Sequence, residues 1–206
     1  MKEADVTITD FLLAAEALTF AVLIARSTAM PLQRWFIVFF SATALASLAG
    51  GAVHGFFGDS RALWRFVLIA LGVVSASAWA IGARLLFTNR VAGFITTAAL
   101  MELAVYSLLV VFVTDSFSIA IANYLPSTLF LIVAFFASYR SGAGTPVAIG
   151  LSGLVLTLVA AAVQQARIAL HPTYFNHNAL YHLLQVIALF LIFRAAIFLA
   201  PLPTSP

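Results

Sequence analysis

The sequence contains no cysteine. This absence excludes disulfide bonds, thiolate metal ligands, cysteine nucleophiles and palmitoylation. Charge is also scarce, because only 8% of the 206 residues are Asp, Glu, Lys or Arg, against about 25% in an ordinary soluble domain. The only lysine is Lys2, so no apolar segment offers the amine that a Schiff base requires, and a retinal pump is excluded.

Apolar residues, by contrast, make up 64% of the chain, and the mean hydropathy is +1.11. An ordinary soluble domain is about 45–50% apolar, so a water-soluble globule is excluded. The ten basic residues are scattered singly along the chain, and despite the net charge of +3 we expect no nucleic-acid partner. The start of the chain, MKEADVTITD, lacks the basic region of a signal peptide, so the first apolar segment is expected to be a permanent span.

Seven apolar stretches have the length that a helix needs to cross a membrane. They cover about residues 8–25, 35–57, 63–87, 91–113, 117–138, 146–166 and 178–200. Short polar connectors separate them, and no soluble domain or internal repeat interrupts them. The sequence therefore predicts one all-α domain over residues 1–206, an integral membrane bundle of seven transmembrane helices.

The distribution of basic residues predicts the orientation of this bundle. With seven spans, six arginines fall on one face and four basic residues on the other. Cytoplasmic loops carry the excess of Lys and Arg, so the N-terminus is expected outside the cell and the C-terminus in the cytoplasm. We expect a multi-pass protein of a bacterial-type plasma membrane, with membrane lipid as its surroundings.

Polar residues inside the spans are the candidates for function, because an ionisable group in hydrocarbon needs a partner or a role. Asn178, His182 and Gln185 are spaced i, i+4, i+7 and predict one polar stripe facing the bundle interior. His177 and Tyr181 form a neighbouring stripe. Several further polar residues of other spans are expected near the depth of His182, and they are Glu16, His54, Asn123 and Gln164.

Two other features concern packing. Gly50 and Gly51 precede His54 in the stretch GGAVHG, and such small residues let a neighbouring helix approach closely or leave room beside the imidazole. Glu102 and Tyr106, four residues apart in the fourth span, are expected to form a hydrogen-bonded pair.

The stretches GGAVHG, with His54, and NALYHLL, with His182, resemble two motifs of the seven-span membrane hydrolases that include alkaline ceramidases and the progestin and adiponectin receptors. Those proteins carry a histidine late in span two and an H-x-x-x-H early in span seven, and the histidines hold a zinc ion. Here Asn178 stands at the first histidine of the second motif, and Gly50 stands where the family often has a serine. The seven-span count and the external N-terminus also fit the ceramidase branch.

This resemblance implies a zinc-dependent hydrolase that acts on an amide or ester of a lipid-like substrate. His54 and His182 would be metal ligands, and the third ligand could be His177 or Glu16. Glu16 or Asp59 could act as the catalytic base. The other polar side chains would orient the ligands or line the cavity, and they are Asn123, Gln164, Asn178, Tyr181 and Gln185.

Two other interpretations use the same residues. The cavity could bind a ligand or relay protons in a receptor or small transporter, since intramembrane Glu and His suit a relay. Alternatively, the polar side chains could simply satisfy one another through hydrogen bonds, each worth about 0.6 kcal/mol on average.

Overall fold

A computed structural model describes residues 2–26 and 31–199 and gives seven long α-helices. They are α1 (Ala4–Ala25), α2 (Pro31–Gly55), α3 (Arg61–Leu86), α4 (Asn89–Phe112), α5 (Phe117–Ser138), α6 (Thr145–Gln165) and α7 (His177–Leu199). A π-helical turn, Tyr139–Ala143, joins α5 to α6. Within the described ranges there is no strand beyond an isolated bridge between His171 and Phe175. The prediction of an all-helical chain is confirmed, and all seven helices are long and apolar enough to cross a membrane.

The observed helices differ little from the predicted spans. α5 has the predicted bounds, whereas α1 and α2 each begin four residues earlier than their apolar stretches. The added first turn of α1, residues 4–7, includes the polar Asp5 and Thr7, and the Thr7 hydroxyl donates to the Glu3 carbonyl at 2.7 Å. Hydropathy does not register such a turn. The predicted end of the seventh span, residue 200, lies outside the described residues.

Six of the helices form a ring. Going round it, α1 packs on α2, α2 on α3, α3 on α5, α5 on α6, α6 on α7, and α7 on α1. α4 lies outside this ring and packs mainly against α3. We call the end of the bundle where α1, α3, α5 and α7 begin the N-terminal face, and the other end the opposite face.

Aromatic side chains fill the ring toward the opposite face. Phe20 of α1 stacks on Phe193 of α7 with ring centroids 4.1 Å apart, and it meets Phe40 of α2 edge-on at 5.6 Å. A smaller cluster joins α4 to α3, where the Tyr106 hydroxyl donates to the Leu68 carbonyl at 3.0 Å. The predicted pair of Tyr106 with Glu102 is therefore wrong. Glu102 instead accepts a hydrogen bond from the Asn123 amide of α5.

Glycine allows α6 and α7 to pack closely. A Cβ atom on Gly150 would lie 2.4 Å from the Ala195 Cβ and 2.8 Å from the Phe135 ring. Gly93, on the exposed side of α4, would meet no atom within 4 Å. The same substitution can therefore be compared at Gly150, a crowded position in the ring, and at Gly93, an open position outside it.

We expect Gly150→Ala to lower stability by about 1–3 kcal/mol, because the added methyl group overpacks the contact of α6 with α7 and α5. Gly93→Ala should leave stability unchanged or raise it slightly, since alanine favours helix. Thermal unfolding of both purified variants in one detergent measures the difference. Equal melting temperatures for the two variants would contradict this packing.

Candidate functional site

A cavity of about 260 Å³ lies inside the ring. All six ring helices contribute to its lining, and α4 contributes no residue. Along α2 the lining runs from His54 to Phe39, a rise of roughly 22 Å. The cavity is therefore long in the direction of the helices.

The cavity changes in polarity along its length. Toward the N-terminal face its wall carries ionisable, amide and phenol groups, from Asp10, His54, Gln164, Asn178, Tyr181, His182 and Gln185. Toward the opposite face the wall is apolar and includes Phe39, Ala78, Leu131, Leu189 and Ile192. Hydroxyl side chains such as Ser75 and Thr157 lie between these two sets. The predicted stripe of α7 faces the interior, since its three members all line the cavity.

An aspartate and a histidine meet at the polar end of the cavity. His182 Nε2 lies 3.3 Å from Asp10 Oδ1, and the two residues are only 8% and 4% exposed. On the other side of the imidazole, His182 Nδ1 lies 3.3 Å from Thr9 Oγ1. Both ring nitrogens of α7's histidine are thus held by neighbouring residues of α1.

Hydrogen bonding around Thr9 assigns the protons of this group. Thr9 Oγ1 donates to the carbonyls of Asp5 and Val6, at 2.9 and 3.0 Å. It therefore accepts the bond from His182 Nδ1–H. His182 Nε2 and Asp10 then hold one proton between them, either as a neutral acid and imidazole or as an ion pair. Such a pair can give a proton to a bound molecule or take one from it.

Two glycines of α2 make room for Asp10. A Cβ atom on Gly50 would lie 3.0 Å from Asp10 Oδ2, and one on Gly51 would lie 2.7 Å from the Phe11 ring. The space beside α2 is therefore filled by α1, and the Asp10 carboxylate occupies it. A larger side chain at Gly50 would press on the Asp10 carboxylate, and one at Gly51 would press on the Phe11 ring.

His54 lies at the N-terminal mouth of the same cavity. Its Nδ1 atom pairs with the carboxylate of Glu3, and its side chain is 24% exposed. The backbone N–H of Lys2 also donates to the Gly55 carbonyl at 3.3 Å. The start of α1 thus holds the end of α2, and His54 and His182 both line the cavity.

The amide side chains connect α6 to α7 at this end. Gln164 Nε2 donates to Asn178 Oδ1 at 3.3 Å. Both residues line the cavity, as Tyr181 and Gln185 also do. These amides can donate and accept hydrogen bonds at the polar end.

Four predicted residues do not line the cavity. Glu16 lies six residues beyond Asp10, which turns it about 240° around α1. Asp59 is on the surface, where it pairs with Lys2 at 3.7 Å. His177 is half-buried in the first turn of α7, and Asn123 points to Glu102. As placed, Glu16 and Asp59 do not reach a molecule in the cavity directly.

Sequence reasoning missed Asp10 and Glu3. Asp10 lies within the predicted first span but only two residues from its start, so it was not included among the polar residues inside the spans. The position of Asp10 was the available signal. Asp10 lies six residues after the start of α1 and His182 lies five residues after the start of α7, so both lie at a similar depth below the N-terminal face. Glu3 carried no such signal, because it lies outside the apolar stretch.

A zinc site was tested against these positions. The described residues contain no group of three His, Asp or Glu side chains arranged to hold a metal ion. In addition, both nitrogens of His182 already have protein partners. The arrangement does not fit a ready-made three-ligand site, and zinc binding stays a prediction.

The contact of Asp10 with His182 gives a direct test of the site. We expect Asp10→Ala to lower stability by about 1–3 kcal/mol, because it leaves a buried imidazole nitrogen without a partner. Asp10→Asn keeps a hydrogen-bonding group and should lower stability less than Asp10→Ala does. Asp59→Asn, at an exposed carboxylate, should have no effect. Thermal unfolding in detergent compares the three variants, and a harmless Asp10→Ala would contradict the contact.

The chain was compared with known proteins. No curated protein and no solved structure matches it. The resemblance to seven-span hydrolases therefore stays a prediction. Residues 6–201 match the model of a family of unknown function, DUF6962, and the chain belongs to that family.

Proposed function

We propose that the protein crosses a membrane seven times and binds a lipid-like molecule in its cavity, where it hydrolyses an amide or ester bond. The polarity of the cavity carries this proposal. One end offers hydrogen-bonding and proton-holding groups, and the other is lined mainly by apolar side chains with only hydroxyl groups such as Thr43 and Thr128 among them. An amphiphile with a polar group and an apolar chain matches both ends.

Membrane insertion is supported by the outer surface of the ring and of α4. Large apolar side chains there are widely exposed, among them Phe94 at 76% and Phe112 at 79%. Such a surface is stable in lipid and a liability in water. The excess of arginine on the opposite face supports an orientation with that face in the cytoplasm and the N-terminal face outside the cell.

The size of the cavity favours a ligand with one chain. Its volume of about 260 Å³ lies just below the usual range for small-molecule sites, roughly 300–1,000 Å³. Its length of roughly 22 Å along α2 suits an extended chain better than a compact ring. We therefore propose a single-chain amphiphile as the substrate class.

The polar end has the groups that hydrolysis of an amide or ester requires. Asp10 and His182 can act together as the base: the Asp10 oxygen that does not face His182 can accept a proton from an attacking water molecule, while His182 holds the proton that the two residues share. Gln185 and Asn178 are side-chain donors that can bind the carbonyl oxygen of the substrate. A metal ion would supply a more acidic water at this place. The residues described above need no metal ion for these roles.

A receptor or transporter is the second candidate, and a specific observation favours it. The single proton shared by Asp10 and His182 lies inside the bundle, next to a cavity that is lined by polar groups up to its mouth. Such a pair suits a proton relay. In this case the molecule would be bound without being cleaved.

The orientation is tested with single cysteines in the naturally cysteine-free chain. Thr173 lies between α6 and α7 at the N-terminal face, and Thr88 lies between α3 and α4 at the opposite face. We expect a membrane-impermeant maleimide to label Thr173→Cys in intact cells and Thr88→Cys only after the membrane is opened. The reverse pattern would overturn the orientation, and labelling of both in intact cells would overturn insertion.

The cavity is tested with fluorescent single-chain amides and esters in detergent. We expect binding by the wild-type protein and cleavage that falls about 100-fold or more in His182→Gln, since a general base contributes at least that much. Asp59→Asn is the surface control and should keep the activity. Ala78→Leu, at the apolar end, should shorten the longest chain that is accepted without abolishing cleavage.

The outcomes separate the candidates. Binding without cleavage, together with proton flux in liposomes that His182→Gln abolishes, would replace hydrolysis by transport. Absence of binding would overturn both. Elemental analysis of the same preparation tests zinc, and stoichiometric zinc that is lost in both His54→Gln and His182→Gln would establish the metal site.

A further inference from the structure

The opposite face carries a concentration of arginine. The arginines lie at or near the helix ends on this face, and they are Arg26, Arg34, Arg84, Arg90, Arg140 and Arg194. Within the described residues none of them forms an ion pair with a carboxylate. The segments 27–30 and 200–206 contain no Asp or Glu either. No acidic side chain of this chain neutralises the face.

Arg84 is held in a fixed position among these arginines. Its Nη1 atom donates to the Ala80 carbonyl at 3.1 Å and to Thr96 Oγ1 at 2.8 Å. Its guanidinium carbon lies 5.3 Å from the centre of the Trp35 ring. α2, α3 and α4 all contribute to this arrangement. A guanidinium group has five N–H donors, so Arg84 keeps donors for a ligand while its position is set by the protein.

Arg34 brings a second positive charge to the same place. It directly precedes Trp35, whose ring the Arg84 guanidinium contacts, and its side chain is exposed. The positive charge of Arg34 acts unfavourably on the Arg84 guanidinium. An anion bound near both groups would offset this repulsion.

We propose that Arg34 and Arg84 bind the phosphate group of an anionic phospholipid. Guanidinium groups bind phosphate through paired hydrogen bonds, which two arginines can make from two sides. The proposal rests on membrane insertion, and only on that part of the proposed function. The site lies at the opposite face, near the start of α2 and the end of α3, away from the polar end of the cavity.

The surroundings favour a lipid headgroup as the source of the phosphate. Trp35, which contacts Arg84 and follows Arg34, lies near a helix end, where tryptophan marks the membrane interface. Phe87, directly after α3 and three residues beyond Arg84, is exposed. Basic sites between helices on the cytoplasmic side of membrane proteins bind such headgroups. Acyl chains and glycerol would contact these aromatic rings, which free phosphate does not use.

The experiment compares lipids retained by the full chain in detergent, by native mass spectrometry. We expect phosphatidylglycerol to be retained about tenfold more than phosphatidylcholine, which has no net charge. Arg84→Gln and Arg34→Gln should each lower this preference severalfold, because each removes charged hydrogen bonds to phosphate. Arg84→Lys should recover only part of it, since lysine keeps the charge and loses the planar fork.

Arg140→Gln is the matched control, because it removes the same charge from the same face at the turn between α5 and α6. It should keep the preference of the wild type. An equal loss in Arg140→Gln would overturn the site in favour of general surface charge. Displacement of the lipid by millimolar inorganic phosphate would overturn the lipid as ligand. Arg34 is exposed, so the Arg34→Gln variant is expected to fold. Membrane insertion is tested separately, by the cysteine labelling pattern described above.

Discussion

A carboxylate and an imidazole that are buried among apolar helices must satisfy each other, and this constraint organises the N-terminal half of the bundle. Asp10 of α1 and His182 of α7 are almost wholly buried and pair with each other, so each fixes the position of the other. α1 can reach this position because α2 presents Gly50 and Gly51 where they meet. The packing of three helices thus follows from one polar contact.

The first helix has an unusually large share in this arrangement. Its opening turn binds the histidine at the end of α2 through Glu3. Half a turn later, Asp5 accepts a hydrogen bond from the backbone N–H of Asn176, at 2.9 Å, and so holds the connector before α7. Asp10 then makes the buried contact. The first turns of α1 therefore fasten both neighbours of the helix in the ring and one of the connectors.

The sequence predicted the helices well because length and hydropathy are local properties, and it placed the stripe of α7 correctly because helical period fixes which residues share a face. It failed where two distant segments decide the outcome. Tyr106 finds the Leu68 carbonyl of α3 rather than Glu102 on its own helix. Asp10 lies near a predicted boundary, and only the packing of α1 on α7 shows that it is buried.

The position of α4 outside the ring has a topological consequence. Because α4 carries the chain back to the N-terminal face, α5 runs in the same direction as its ring neighbour α3. The ring is thus made of two three-helix units, α1–α3 and α5–α7, whose helices follow each other round the ring in the same order and with the same directions. The cavity lies where they join, and its ionisable groups from α1, α2 and α7 make the two halves chemically unequal.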